Sequence, residues 1–326
     1  MLKNIIGSEA FQDGLHNYLN KFKYSNTDQY NLWKYLQASN DKYNKNNKMN
    51  IKNVMSSWLL QKGYPLLTII RNYDGSNKVR FSQCKFELNE NDENKLMQIQ
   101  FELPITYTSK LEQDWNPKIK LWLHKTNNKS ESFIERQLDI AENEWLIANL
   151  QEIGYYRVNY DERNWNLIID QLIEDPSVID EINRVQILDD LFHLAEIGKV
   201  DYKLALKALT YFKNEKDSFP WISISRHIDL INKMLFSSKK YHTEWKEFIY
   251  EIVNDGNKKL INKKMRGNEY SIQEMANVLM NLATDYNFNS FTDPLGVLFQ
   301  RFKKNPIKNS IPPEFRYYLT HKNYNL

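Results

Sequence analysis

A single cysteine, Cys84, stands among 326 residues. It excludes an intrachain disulfide and a cysteine-built zinc site, and in an apparent strand it reads as a small packed residue. Glycine is scarce as well, at nine residues. None of the loops that glycine builds is present: no G-x-S-x-G elbow, no G-x-x-x-x-G-K phosphate loop, no G-x-G-x-x-G turn. No apolar run approaches the ~20 residues of a membrane span. The opening MLKNIIGSEAFQDGL has the amphipathic spacing of a helix that packs on protein, not the pattern of a signal peptide. A charge excess of one sign is also missing. Lys plus Arg (44) nearly balances Asp plus Glu (41), for a net +3, so there is no basic stripe of the kind a nucleic-acid binder depends on. These absences leave the compartment open. One glycosylation acceptor pattern, Asn128-Lys129-Ser130, would matter only in a secreted chain.

Catalytic patterns are equally hard to find. The six histidines are His16, His124, His193, His227, His242 and His321, and no H-E-x-x-H pair places two imidazoles and a base on one helix face. His193 and Glu196 make an H-x-x-E that reads as incidental on a core-facing helix. The acidic pairs Asp180-Glu181 and Asp189-Asp190 read as helix caps and solvated faces, because neighbours on a helix point in different directions. On residue chemistry alone, no catalytic residue and no metal ligand is assigned, and substrate-binding residues stay unknown.

What the chain does have is apolar content, 41%, enough for two or three cores at this length. Three textures follow one another. Residues 1–62 read as helical: Phe11, Leu15, Tyr18, Leu19 and Phe22 share one face, Thr27-Asp28 can cap the next helix, and a third from about Ile51 to Gln61 stops at Gly63-Tyr64-Pro65. Over residues 63–160 the period falls to two. MQIQFEL alternates Met97, Ile99, Phe101 and Leu103 with polar residues, and Ile119, Leu121 and Leu123 do the same. PLLTII, VRFSQCKF, WLIAN and YYRVNY supply further strands of an antiparallel β-sandwich. From Asp161 the helical period returns in Trp165, Ile168, Ile169, Leu172 and Ile173, with Asp161 as N-cap and Pro176 beyond the end. A longer helix runs from about Asp180 to Gly198, another begins near Asp201 and ends before Phe219-Pro220, and similar helices continue to the end. Residues 161–326 therefore read as an array of helical hairpins, a partial solenoid. The tyrosine-rich YYRVNY becomes the last strand, with Tyr156, Val158 and Tyr160 on one face and Tyr155, Arg157 and Asn159 on the other. A joint between sheet and helix explains it; a direct site is the other reading.

Several stretches resemble one family. VMSSWLLQKGYPLLTI (54–69) resembles the V-M-x-x-W-x-x-Q-x-G-Y-P junction of aminopeptidase N-type zinc aminopeptidases. WLIANLQEIGYYRVNYDERNW (145–165) is similar to that family's W-x-x-x-N-x-x-x-x-G-Y-Y-R-V-N-Y-D-x-x-N-W. RVQILDDLFHLAEIGKVDY (184–202), FPW (219–221), IPPEFR (311–316) and FQDGLHNYLNKFKYSNTDQYNLW (11–33) add matches in the same order. The resemblance implies a helical tail of a thermolysin-like catalytic domain over 1–62, a β-sandwich over 63–160, and the first part of a HEAT/armadillo-like helical domain over 161–326. It also implies that the G-x-M-E-N motif, the H-E-x-x-H zinc ligands and the catalytic tyrosine precede Met1. The expectation is a piece of a Zn2+-dependent aminopeptidase, inactive alone because it holds no zinc ligands, whose intact parent acts on peptides and whose partners are the remaining domains of the same polypeptide. The alternative is a non-catalytic peptide- or protein-binding module.

Overall fold

The computed structural model describes residues 1–45, 49–87, 100–126, 132–261, 267–286, 288, 300–306 and 308. Residues 97–99 of the expected strand, the 128–130 acceptor pattern, IPPEFR and His321 lie outside the described residues. The chain divides into two compact units, Met1–Ile168 with Glu196–Lys199, and Ile169–Ala195 with Val200–Leu326.

The first unit begins with α1 (Leu2–Ile6), α2 (Ser8–Phe22), α3 (Gln29–Tyr43) and α4 (Ile51–Leu59). Asp28 caps α3 by accepting from the Asn31 amide at 2.9 Å, and Asn50 caps α4 by accepting from Asn53 at 3.0 Å. The buried face of α2 differs from the expected stripe. Its innermost residues are Ala10 and Gly14, Phe11 and Leu15 are half-buried, and Leu19 is exposed. Close approach is the reason. A Cβ on Gly14 would lie 2.9 Å from Leu36 Cα, so small residues occupy the seam between α2 and α3. Ile5, Ile6, Trp33, Leu36 and Ile51 fill the core beneath.

Among the described residues eight strands follow: β1 (Tyr64–Arg71), β2 (Lys78–Phe86), β3 (Leu103–Ile105), β4 (Tyr107–Ser109), β5 (Leu121–Leu123), β6 (Ser132–Gln137), β7 (Leu146–Ala148) and β8 (Arg157–Tyr160). They form a four-stranded sheet in the order β6-β2-β1-β8 and two two-stranded sheets, β3-β5 and β4-β7. The β1–β2 hairpin is antiparallel over its whole length, Tyr64 opposite Phe86 and Arg71 opposite Val79. Its turn is made by Gly75 and Asn77, both at positive φ, which a residue with a bulky side chain resists. The expectation of a wholly antiparallel β-sandwich is corrected at one edge, where β8 joins β1 in parallel, Leu67 opposite Val158. A parallel neighbour needs a long crossover, and residues 72–156 supply one. Period-two alternation reports which face a residue takes and is blind to strand direction.

The second unit is helical. Following α5 (Glu162–Glu174), within which the division between units falls, come α6 (Glu181–Glu196), α7 (Tyr202–Leu209), α8 (Ser218–Leu235), α9 (Lys239–Ile261) and α10 (Glu269–Asp285). Phe219-Pro220 was expected to follow a helix end, yet Pro220 lies in the first turn of α8. There its missing N–H costs no intrahelical bond. Helix α6 is buried nearly all round, from Asn183 and Arg184 through Asp190 to Ala195. That corrects the reading of Asp189-Asp190 as a solvated face: Asp190 is buried and accepts from Gln186 Nε2 at 3.3 Å. A helix enclosed on every side loses its one-faced pattern. Between α8 and α9, Gly256 faces the buried Trp221 ring, which a Cβ would meet at 2.6 Å. Among the described residues no helix is long and apolar enough to cross a membrane.

Candidate functional site

The tyrosine-rich joint is accounted for atom by atom. Tyr156, Val158 and Tyr160 are buried, Arg157 and Asn159 are half-buried, and Tyr155 is exposed, which is the alternation expected of β8. Tyr156 Oη donates to the Pro104 carbonyl at 3.0 Å, and Tyr160 Oη accepts from the Ala148 amide at 2.9 Å. Asn159 Oδ1 accepts from Trp165 Nε1 at 2.9 Å. Asn149, at φ 59°, donates from Nδ2 to the Gly154 and Tyr156 carbonyls and accepts from the Gly154 amide, closing the loop that precedes the strand. Asp161 accepts from the amides of Asn164 and Arg71 and from Tyr73 Oη at 2.9, 3.1 and 2.8 Å, so one carboxylate caps α5 and holds the end of β1. Asn164 pairs with both backbone groups of Leu146, as a neighbouring strand would. The buried Arg71 guanidinium donates to the carbonyls of Ile140, Ala141 and Glu144 and to Asn164 Oδ1. These polar groups satisfy one another, leaving the stretch committed to holding sheet and helix together.

Among the described residues of the second unit two polar clusters are buried. Arg184 makes a bidentate pair with Glu215, Nε to Oε2 at 2.7 Å and Nη2 to Oε1 at 3.1 Å, and also bonds Asp217 and the Pro176 and Ile179 carbonyls. Both partners are almost fully buried. Beside them lies a cavity of 290 Å³ reached by Lys259. Its ammonium donates to the carbonyls of Phe212, Lys213 and Glu215 at 3.0, 2.6 and 2.9 Å, and burial pulls its pKa down to about 8. With three donors on three acceptors, Lys259 serves as a backbone clamp.

The second cluster joins α6 to α8. The H-x-x-E spacing of His193 and Glu196 is incidental, as the sequence reading has it: Glu196 is exposed, and His193 meets Asp189 and His227. His227 Nε2 lies 3.1 Å and His193 Nδ1 3.4 Å from Asp189 Oδ1. The other described histidines stay apart: His16 bonds Asn20, His124 pairs with Glu102, and His242 bonds Asn232. The α6–α8 meeting had no sequence signal beyond D-x-x-x-H, because His227 is distant in the chain.

The first unit carries an open groove of 1050 Å³ lined in part by Lys42, Lys45, Lys118, Lys120, His124 and Arg136. Three of these six basic side chains already meet a carboxylate, Lys42 with Asp13, Lys120 with Glu112 and His124 with Glu102. The groove therefore lacks a concentrated field of one sign.

The peptidase family M1 domain matches residues 1–58, and the ERAP1-like C-terminal domain matches residues 145–320, which is more than half of the chain. This chain belongs to the M1 aminopeptidase family. Among its relatives, the thyrotropin-releasing hormone-degrading ectoenzyme of Rattus norvegicus is 34% identical over 78% of this chain and 24% of its own length. Aminopeptidase N of Homo sapiens is 30% identical over 97% of this chain and 32% of its own length. Aminopeptidase N of Plutella xylostella is 24% identical over 96% of this chain and 32% of its own length. The chain thus spans a quarter to a third of these family members. The H-E-x-x-H set that the resemblance implies for the family's zinc occurs nowhere in this sequence, so the residues present do not fit a catalytic zinc of that kind. The cluster on α6 and α8 offers D-x-x-x-H and one further histidine, and no glutamate belongs to it that could act on a bound water.

Proposed function

We propose that this chain supplies the end of the catalytic domain, the spacer and the first part of the helical domain of a zinc-dependent aminopeptidase that removes amino-terminal residues from peptides. In this reading residues 1–62 close a thermolysin-like domain, 63–160 form a β-sandwich spacer, and 161–326 begin a HEAT/armadillo-like wall around the peptide entrance. The observation that carries it is the ordered pair of matches, M1 peptidase domain at 1–58 and ERAP1-like C-terminal domain at 145–320. The relatives' own names, aminopeptidase N and hormone-degrading ectoenzyme, support peptides as the substrate class. The polar residues of the 145–165 stretch support a scaffold role, since their bonds are spent on backbone and on one another.

Two measurements test this. An antibody raised against residues 162–214 should detect, in source tissue, a species well above the 39.1 kDa of this sequence, and its immunoprecipitate should release aminoacyl-coumarin fluorophore in a chelator-sensitive way. The recombinant 326-residue chain should release none. A sole native species at the size of this sequence, or hydrolysis by the recombinant chain, overturns the reading.

A further inference from the structure

Two imidazoles and a carboxylate converge where α6 meets α8, and their spacing has a chemical consequence. The ligand atoms of Asp189, His193 and His227 all lie within 4.8 Å of one another. Ligand atoms on a tetrahedral ion with bonds of about 2.0–2.1 Å stand roughly 3.3–3.4 Å apart. The two measured edges, 3.1 Å from His227 Nε2 to Asp189 Oδ1 and 3.4 Å from His193 Nδ1 to the same oxygen, bracket that value.

The rings are also held in place. The His227 ring stacks on Phe192 at 5.0 Å and 22°, and His193 meets His227 edge-on at 5.0 Å and 90°. Both histidine side chains are over nine-tenths buried, whereas the Asp189 side chain is 32% exposed. Two fixed nitrogen donors inside and a solvent-reachable carboxylate outside leave a path for an ion and room for water as a fourth ligand.

We propose that Asp189, His193 and His227 form a binding site for a divalent transition metal of the zinc class, clamping α6 to α8. The groups that compete for it are named by the structure. His193 Nδ1 lies 2.8 Å from the Asp189 carbonyl, and Arg226 Nη2 lies 3.0 Å from His193 Nε2. In that metal-free arrangement Nδ1 carries the proton and Nε2 accepts from the guanidinium. Metal on Nδ1 moves the proton to Nε2, which then faces a donor, so binding expels the Arg226 head group. Arg226 is exposed and free to swing aside. The ion is therefore in competition with Arg226, and the site binds better without it.

The test is a titration of the full 326-residue chain, freed of any affinity tag, with Co2+, followed by competition with Zn2+. Four-coordinate Co2+ has an intense visible absorption that six-coordinate Co2+ in water lacks, so the spectrum reports geometry as well as binding. One ion per chain with that spectrum is expected, displaced by Zn2+. His193→Gln and His227→Gln should each weaken binding at least about tenfold, and Arg226→Gln should strengthen it severalfold. Because His227 is buried, circular dichroism of each variant separates lost ligands from lost folding, and the exposed Arg226→Gln variant tests the competition without touching the core. Absence of a saturable four-coordinate spectrum, or folded histidine variants that bind like the parent chain, overturns the proposal.

Discussion

At the scale of single residues, the joint at 149–165 shows how much is asked of small groups. Gly154 is the sharpest case. A Cβ there would sit 2.0 Å from Tyr156 Cε1, inside any tolerable contact, and the Tyr156 ring is pinned by burial and by its bond to Pro104. Gly154→Ala must therefore displace the ring or the Asn149-bonded loop. A loss of about 1–3 kcal/mol is expected, the usual cost of overpacking a filled site, which outweighs the few tenths of a kcal/mol up to ~1 that replacing glycine returns through the unfolded chain. Urea unfolding of the first unit, followed by tryptophan fluorescence, measures it; an unchanged midpoint would mean the loop relaxes freely. The tyrosine spacing in the sequence showed which rings face inward. It was silent on Gly154, because the clash is with a side chain whose position only the fold sets.

At the scale of elements, helix α6 departs most from a sequence reading. Its apolar spacing predicts an inward stripe of Val185, Leu188, Leu191, Phe192 and Ala195; Val185 is half-buried and the other four are buried, but so are Arg184, Gln186, Asp190 and His193. Charged residues enter the interior there because each meets a partner: Arg184 meets Glu215 and Asp217, and Asp190 meets Gln186. Such pairs are costly to break from one side. Glu215→Ala leaves the buried Arg184 guanidinium with Asp217 as its remaining carboxylate and should destabilise the second unit by about 3–5 kcal/mol. Arg184→Met with Glu215→Leu should cost less than the two single changes added together, with coupling above about 1 kcal/mol. Additive singles in a double-mutant cycle would show that the pair is not coupled.

At the scale of the whole second unit, titration of buried groups links pH to unfolding. Lys259 has a folded pKa of about 8, below the ~10.4 of a free lysine. Between these values the unfolded chain holds a proton that the folded chain has released, so stability rises with pH. Burial acts oppositely on Tyr286, raising its pKa to about 12, and on Tyr211, raising it well above 10. Above pH ~10 the unfolded phenols ionise first, and stability falls. The expected profile climbs through pH 8–10 and then declines. Lys259→Met should flatten the rising limb and Tyr286→Phe the falling one, as read from urea midpoints at each pH. A rising limb that survives Lys259→Met would assign it to another group.

The division between what sequence determines and what folding decides follows from the reach of each signal. Periodicity of two and of 3.6, and caps such as Asp28 and Asp161, act within one turn or one strand, so the order of helices, strands and helices was legible, as was the inward face of Tyr156, Val158 and Tyr160. The quoted family stretches lie within that order and carried the aminopeptidase assignment. Strand direction at β8, the small-residue seam of α2, the buried charges of α6 and the meeting of Asp189 and His193 with His227 were not legible. Each of these is set by contacts between residues far apart in the chain, and the free energy of such contacts exists only once packing has excluded water and brought the partners within a few ångströms.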